Sequence, residues 1–227
     1  MRAKVLLLSA GLILCLAQSA LATSTPELMI LSNGNMAVIT GSGAVVYNNF
    51  NFDGTGWDIF LTVGVSNSPN LTPSGLFVSS MNVKCLPLSP CSTHPLDIYL
   101  SDVGFTQLVP GFSTTYIPFL ISGGGSTSQS AWWSGVNSYF DTTHLIGTVG
   151  PVTTSSNIGG TIGGPAPGLI SPYSLTVEDI FGAGSGATYS ANGFIAAVPE
   201  PASLSLLGVG LLVLGGSLRK TLLFRRG

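Results

Sequence analysis

The middle of the chain shows an alternation of apolar and polar residues with a period of two. Between residues 57 and 65 every second residue is apolar, and Asp58 and Thr62 lie at intervening positions. Residues 173–178 alternate in the same way. Because successive side chains of a β-strand point to opposite faces, both segments are predicted strands with one buried face. The residues expected to face the core are Trp57, Ile59, Leu61, Val63, Val65, Tyr173, Leu175 and Val177, and those expected to face water include Ser174, Thr176 and Glu178.

Eight further segments combine β-branched and aromatic residues with flanking turn residues, and the part of the chain between the two ends lacks the 3.6-residue periodicity of a surface helix. The pattern predicts an all-β fold. We expect an antiparallel β-sandwich of jelly-roll or Ig-like type, formed as one domain by residues 23–197. The additional predicted strands are 36–40, 44–47, 76–85, 96–100, 105–109, 115–121, 145–149 and 188–197.

Two segments rich in small residues are predicted to be loops. Residues 122–130 consist mainly of glycine and serine, and residues 157–168 are rich in glycine and proline. Neither segment supplies the apolar side chains that a packed strand buries. Two interpretations stay open for them, solvated connections between strands and binding loops.

The N-terminal segment has the three parts of a secretory signal peptide. Arg2 and Lys4 precede an apolar stretch at residues 5–16, and a small-x-small site follows at residues 20–22. A signal peptidase recognises this order of charge, apolar helix and small residues. The sequence therefore predicts a signal helix within residues 1–22 and a mature chain that begins at Thr23.

The C-terminal segment, residues 198–227, predicts a membrane span. Its apolar stretch at residues 202–218 would extend about 25 Å as a helix, just short of a bilayer core. Positive charges after the span hold that end on the cytoplasmic side, so the exported domain would face the periplasm. A retained anchor and a segment removed by a protease would have nearly the same sequence. The four residues before the span are Val198, Pro199, Glu200 and Pro201, and the membrane stop consists of Arg219, Lys220, Arg225 and Arg226.

The predicted exported domain is strongly acidic once both ends are set aside. Lys84 is the single lysine or arginine between Thr23 and Val198, against eight aspartates and glutamates, which gives a formal net charge of −7. A surface that binds nucleic acid needs clustered lysine and arginine side chains to neutralise phosphates. The composition therefore excludes nucleic acid as an expected partner.

Cys85 and Cys91 are the two cysteines of the predicted exported domain, and five residues separate them. In an oxidising compartment they are predicted to form a disulfide, which fits a short loop that contains two prolines. The alternative is a metal site with His94 as a third ligand, although a fourth ligand is missing nearby. We favour the disulfide, and we expect neither a metal nor another cofactor.

Candidate catalytic groups are few, and we expect the protein not to be an enzyme. His94 and His144 are its two histidines, and the G-x-S-x-G nucleophile motif is absent. Residues 141–144 are more typical of a turn in which Asp141 accepts a local backbone N–H bond than of an acid–base pair. Residues 53–58 contain two aspartates that calcium could use, but this segment is more typical of a glycine-rich turn.

Three tryptophans suggest a second interpretation, a carbohydrate-binding surface. Trp132 and Trp133 are adjacent, so in a strand one indole ring would face outward and could stack on a sugar. A bend that buries both rings is the competing interpretation. Trp57 is the third possible glycan contact.

The C-terminal segment resembles the PEP-CTERM sorting signal of exported bacterial proteins, a segment that also circulates under the name of an ice-binding protein C-terminal domain. The resemblance rests on the order of three parts: residues 198–201, the apolar run 202–218 and the cations that follow. It implies processing near Pro199-Glu200-Pro201 by an exosortase, usually in Gram-negative bacteria that make extracellular polysaccharide.

Together these features predict a non-enzymatic exported protein of the cell surface or of the extracellular matrix of a biofilm. Signal peptidase, exosortase and the inner membrane are its expected partners, and the C-terminal helix would anchor it before or instead of cleavage. The alternative function is a carbohydrate-binding module that acts on extracellular polysaccharide.

Overall fold

A computed structural model describes residues 25–66, 75–153 and 160–198, which form β-strands connected by turns and two short 3₁₀ helices. The predicted signal peptide and residues 199–227, with the predicted span at 202–218, lie outside the described residues. Within the described ranges, no helix has the length and apolar character needed to cross a bilayer. The strands are β1 Glu27–Ser32, β2 Asn35–Thr40, β3 Ala44–Asn49, β4 Trp57–Ser66, β5 Gly75–Cys85, β6 Leu96–Phe105, β7 Gly111–Ser122, β8 Thr127–Ser134, β9 His144–Val152, β10 Gly160–Pro165, β11 Tyr173–Phe181 and β12 Thr188–Val198.

These strands form two six-stranded antiparallel sheets, which confirms the predicted all-β sandwich. The front sheet has the order β2-β1-β6-β11-β8-β9, and the back sheet has the order β10-β7-β12-β5-β4-β3. Each sheet is larger than a sheet of an Ig domain, whose seven to nine strands are shared between both sheets. Many neighbouring strands are distant in sequence, as β6 and β11 are, so the sandwich depends on long-range pairing.

The core lies between the sheets and is built by the predicted alternation. Trp57 and Ile59 on β4 are fully buried. Phe60, the residue after Ile59, points to the outward face of the sheet and is half exposed. Phe181 on β11 packs edge-on against Tyr189 on β12, which joins the two sheets through aromatic rings. Burial of these large apolar side chains is the main favourable contribution to folding.

Two strands occur inside the segments predicted to be loops. β8 begins at Thr127, and its inward side chains Thr127 and Gln129 are buried because they hydrogen-bond within the core, to Tyr116 and Thr114 respectively. β10 lies at the edge of the back sheet and pairs with β7 through its backbone, so its glycines need no side chain to hold it there. Both strands lack the apolar alternation on which the prediction relied. The predicted strand at 105–109 is also wrong, because β6 ends at Phe105.

The prediction that Ser174 and Thr176 face water is wrong. Both side chains are fully buried, although they lie on a strand with alternating apolar residues. The connection between β8 and β9 contacts this part of the front sheet, where the Phe140 backbone N–H donates to Ser101 Oγ at 3.0 Å. Ser101 Oγ in turn lies 2.9 Å from Thr176 Oγ1. The loop that folds back over the sheet therefore covers the paired hydroxyls of Ser101 and Thr176, whereas the Ser174 hydroxyl is buried without a hydrogen-bond partner.

A polar cluster occupies the interior between the sheets. Thr114 on β7 donates to Gln129 Oε1 at 2.8 Å, and Gln129 Nε2 donates to Asp179 Oδ1 at 3.0 Å. The other carboxyl oxygen of Asp179 is buried without a hydrogen-bond partner. Gly193 on β12 packs against this cluster, where a Cβ atom would overlap Nε2 of Gln129. A side chain at 193 would therefore push the Gln129 amide away from its hydrogen bonds to Thr114 and Asp179.

The predicted disulfide between Cys85 and Cys91 is confirmed. The sulfurs are 2.06 Å apart, and both cysteines are fully buried, Cys85 at the end of β5 and Cys91 in the 3₁₀ turn Pro90–Ser92. The bonded sulfurs leave no thiolate for the alternative metal site, and the His94 ring nitrogen Nδ1 instead lies 3.1 Å from the Pro90 carbonyl oxygen.

Reduction of this disulfide is expected to lower the free energy of unfolding by about 2 kcal/mol. The bond closes a small loop, and it therefore lowers the conformational entropy of the unfolded chain. Urea unfolding with and without dithiothreitol measures the difference. The double variant Cys85→Ala and Cys91→Ala is the control and should not respond to reductant. An equal midpoint for the native protein in both conditions would contradict the expected contribution.

Candidate functional site

Trp57, one of the predicted glycan contacts, is a core residue. Its exposed fraction is 0%, and its ring packs against Tyr189 with 6.2 Å between ring centroids. The indole N–H donates to the His94 carbonyl oxygen at 3.3 Å. The glycan contact predicted for Trp57 is therefore wrong, since β4 turns this side chain toward the interior.

Trp132 and Trp133 lie on opposite faces of β8, as adjacent strand residues do. Trp133 faces inward with 4% of its surface exposed, and its ring stacks on the His144 imidazole at 4.1 Å between centroids. Trp132 faces outward and is partly exposed. Of the three tryptophans, only Trp132 presents a ring to the outside of the described sandwich.

The turn before β9 holds Asp141 in a local hydrogen-bond network. Its carboxylate accepts the Thr143 backbone N–H at 2.9 Å and the Ser134 hydroxyl at 2.9 Å. The pKa of Asp141 is lowered, and the largest cause is the hydrogen bond from the Thr143 hydroxyl. The two bonds above and the nearby His144 lower it further. Because Ser134 donates to the carboxylate, these groups lack the hydroxyl-to-imidazole bond that activates a serine nucleophile.

Three acidic groups share the outward face of the front sheet, and the alternation pattern had singled out one of them, Glu178, as a residue that faces water. The Tyr99 hydroxyl on β6 donates to the Glu178 carboxylate on β11. Burial is the main cause that raises the pKa values of Asp97, Tyr99 and Glu178. Asp97 adds to the effect on Glu178, since two nearby carboxylates disfavour each other's charge.

The outward face of the back sheet contains a cleft of about 200 Å³. Three central strands contribute to it, because Asp58 on β4 pairs with Lys84 on β5, and Lys84 pairs with Thr188 on β12. Asn82 pairs with Phe60 in the next row. The ring of Phe60 is 49% exposed. The lining residues are Asp58, Phe60, Asn82, Val83, Lys84 and Thr188.

The charged groups of this cleft are not paired with each other in the described structure. Oδ1 of Asp58 is buried and lacks a hydrogen-bond partner. Lys84, the one basic residue of the predicted exported domain, lies opposite it across the strand pair. The cleft thus combines an apolar ring, a hydrogen-bond acceptor and a cationic donor on a rigid sheet.

A second groove lies where the chain leaves the sandwich. It has a volume of about 400 Å³, and Val198 at the end of β12 forms part of its wall. The remaining lining residues come from the start of β7 and the end of β10: Pro110, Gly111, Phe112, Gly163, Gly164 and Pro165. Residues 199–201 follow directly but lie outside the described residues.

Metal coordination is not supported by the side chains in the described ranges, which contain no group of three or more His, Cys, Asp or Glu residues placed to share an ion. The two aspartates on which the calcium interpretation of residues 53–58 relied belong to different elements. Asp53 lies in the 3₁₀ turn Phe52–Gly54, whereas Asp58 lies on the outward face of β4.

Comparison with solved structures gives distant similarities. A carbohydrate-binding module, TmCBM61 in complex with β-1,4-galactotriose, is 8% identical with a TM-score of 0.34, covering 65% of this chain and 94% of the module. The K1 cleaved adhesin domain of Lys-gingipain from Porphyromonas gingivalis is 14% identical with a TM-score of 0.34, covering 76% of this chain and 99% of the domain. The bacteriophage CBA120 tailspike protein 4 is 10% identical with a TM-score of 0.35, and the match covers 69% of this chain but 21% of the tailspike chain.

The sequence comparisons concern the C-terminal end. A search of curated protein sequences gives no match to this chain. The profile of the PEP-CTERM protein-sorting motif matches residues 197–220, which include the Pro-Glu-Pro sequence, the apolar run and the first two cations after it. This match confirms the resemblance found in the sequence, and it indicates an exported protein. The chain carries a PEP-CTERM protein-sorting motif at its C-terminal end.

Proposed function

We propose that this chain is a non-enzymatic protein of the cell surface or extracellular matrix, which an exosortase cleaves near Pro199-Glu200-Pro201 after export. The junction between domain and motif carries the proposal. β12 is the last strand of the sandwich and ends at Val198, while the sorting motif begins at residue 197. Because β12 pairs with both β7 and β5, the strand beside the cleavage site is firmly held in the back sheet.

The composition of the two ends supports the same route. The predicted signal peptide would start export, and the apolar run 202–218 with its four cations would hold the chain in the inner membrane until cleavage. From the sequence, Pro199 and Pro201 are expected to favour extended conformations around Glu200, which a protease active site requires. Cleavage then separates a folded domain from its membrane segment.

Glu200→Ala is expected to stop removal of the tail, because it deletes the central side chain of the recognised Pro-Glu-Pro sequence. Mass spectrometry of the protein from its native host should show native molecules without Gly227 and variant molecules that keep it. The matched control is Asp53→Asn, which changes an exposed carboxylate of the folded domain and should be processed normally. An intact Gly227 on all native molecules would refute the proposed cleavage.

A second candidate function is polysaccharide binding by the exported domain. The cleft on the back sheet favours it, because an exposed aromatic ring lies beside side chains that donate and accept hydrogen bonds. Retention on immobilised polysaccharides tests this function independently of sorting. If the protein is retained on none of them, the second candidate is wrong and the sorting proposal is unaffected.

A further inference from the structure

We propose that the cleft on the back sheet binds one sugar unit of a neutral polysaccharide. In this site the Phe60 ring packs on the C–H face of a pyranose, and Asp58 and Lys84 hydrogen-bond to its hydroxyls. The inference rests on the second proposed function, polysaccharide binding, and it names the site and the class of ligand.

Phe60 is the apolar platform of the site. About half of its surface is exposed, although removal of a phenyl ring from water is favourable. It lies on β4, the second strand from the edge of the back sheet, and it pairs with Asn48 on β3 and Asn82 on β5. An aromatic ring between two amide side chains matches a sugar, whose ring has an apolar face and a hydroxyl rim.

Asp58 supplies the acceptor. Its Oδ1 is buried, and no donor of the described structure reaches it, which costs free energy because the oxygen has lost its water without gaining a hydrogen bond. Because this oxygen is inaccessible to a group the size of water, a ligand hydroxyl would donate instead to the other carboxylate oxygen of Asp58, a residue that is partly exposed and lines the cleft. Lys84 stands opposite on β5 and can donate to a neighbouring hydroxyl oxygen. An acceptor and a donor on adjacent strands suit two adjacent hydroxyls of one sugar.

Charge and size select the class of ligand. One carboxylate and one ammonium make the cleft formally neutral, while the predicted exported domain carries −7 and repels a polyanion. The volume of about 200 Å³ lies below the roughly 300 Å³ at which pockets for drug-sized ligands begin. A single sugar unit of an uncharged polysaccharide therefore fits better than a uronate polymer or a drug-sized ligand.

The scaffold holds these side chains in place before a ligand arrives. The lining residues come from β4, β5 and β12, which are neighbours inside the back sheet. Lys84 directly precedes Cys85, whose disulfide to Cys91 fixes the end of β5. Because paired strands already hold their backbone in place, little backbone entropy is lost when a ligand binds. This favours a weak but specific sugar site.

Binding is tested with protein purified from the native host, using immobilised glucan, galactan, mannan and xylan as neutral polymers and alginate as the anionic one. We expect retention on at least one neutral polymer and little on alginate. Phe60→Ala and Asp58→Ala should each weaken that binding about tenfold or more. The matched control is Trp132→Ala, which removes the outward tryptophan of the opposite sheet and should bind as the native protein does.

The thermal midpoint separates a binding role from a structural one. Asp58→Ala removes an oxygen that lacks a partner, so it should lose binding while its thermal midpoint stays equal to or above that of the native protein. Unchanged binding in both cleft variants, or loss in Trp132→Ala alone, would overturn the site but leave polysaccharide binding intact. Preference for alginate would overturn the neutral class, and absence of retention on every polymer would overturn polysaccharide binding as well.

Discussion

Replacing Asp179 with Asn is expected to stabilise the protein at and above pH 8 by several kcal/mol, and to leave it nearly unchanged near pH 4. Asp179 is fully buried between the sheets, and burial raises its pKa to about 8, with a further contribution from the charge of Glu178. The Gln129 amide that donates to it opposes this shift only partly. Each pKa unit corresponds to about 1.4 kcal/mol.

The direction follows from proton binding. A carboxyl with a raised folded pKa holds its proton more tightly in the folded state than in the unfolded state. Its contribution is therefore fully present below the unfolded pKa, near 4, and is lost as the pH rises to about 8. Asparagine is neutral at every pH and keeps an oxygen that can accept from Gln129, so the variant escapes this loss.

Urea unfolding at several pH values between 4 and 9 measures the effect. Glu178 and Asp97 also have raised pKa values, so the native and variant proteins must be compared at each pH. Asp53→Asn is the control, because Asp53 is exposed and the left-handed backbone there suits asparagine equally well. If the stability difference between Asp179→Asn and native protein is the same at pH 4 and pH 9, the buried carboxyl does not have the inferred pKa.

Trp57→Ala is expected to cost about 3–5 kcal/mol of stability, because it empties the largest fully buried side chain of the core. The variant also leaves the His94 carbonyl oxygen without the indole N–H and removes the ring that packs on Tyr189. The loss is a large fraction of the roughly 5–15 kcal/mol by which domains are ordinarily stable. Thermal and urea unfolding followed by circular dichroism measure it.

Trp132→Ala is the matched control, since it deletes the same ring from a partly exposed position. It should change the free energy of unfolding by less than about 1 kcal/mol. Equal losses for the two variants would contradict the inward orientation of Trp57. The pair therefore tests the orientation of the tryptophans independently of any ligand.

Much of the sandwich was predictable from local pattern. β4 and β11 follow clean alternation, and their limits differ from the prediction by only a few residues. β1 was not predicted, and β8 and β10 were missed because their stability comes from partners elsewhere in the chain. Gln129 is polar but buried by its bonds to Thr114 and Asp179, and the glycines of β10 pair through their backbone with β7. Hydropathy along one segment does not contain that information.

The candidate site was likewise only partly predictable from the sequence. The sorting motif and the Cys85–Cys91 pair were predicted from the sequence, because both depend on residues that are close along the chain. The cleft was not, since Phe60, Lys84 and Thr188 belong to three strands that only pairing brings together. The single lysine of the predicted exported domain was a signal in the composition. Its partner residues became visible only with the strand register.

The sequence by itself determined the β class, the sorting motif, the acidic character of the exported domain and the disulfide. Each of these follows from residue types and short spacings, which local conformation and charge express directly. The tertiary structure alone decided which tryptophan faces outward, that Asp179 is buried, and that the back sheet carries a cleft. Burial depends on which distant strand or loop covers a side chain, and that is set by long-range packing.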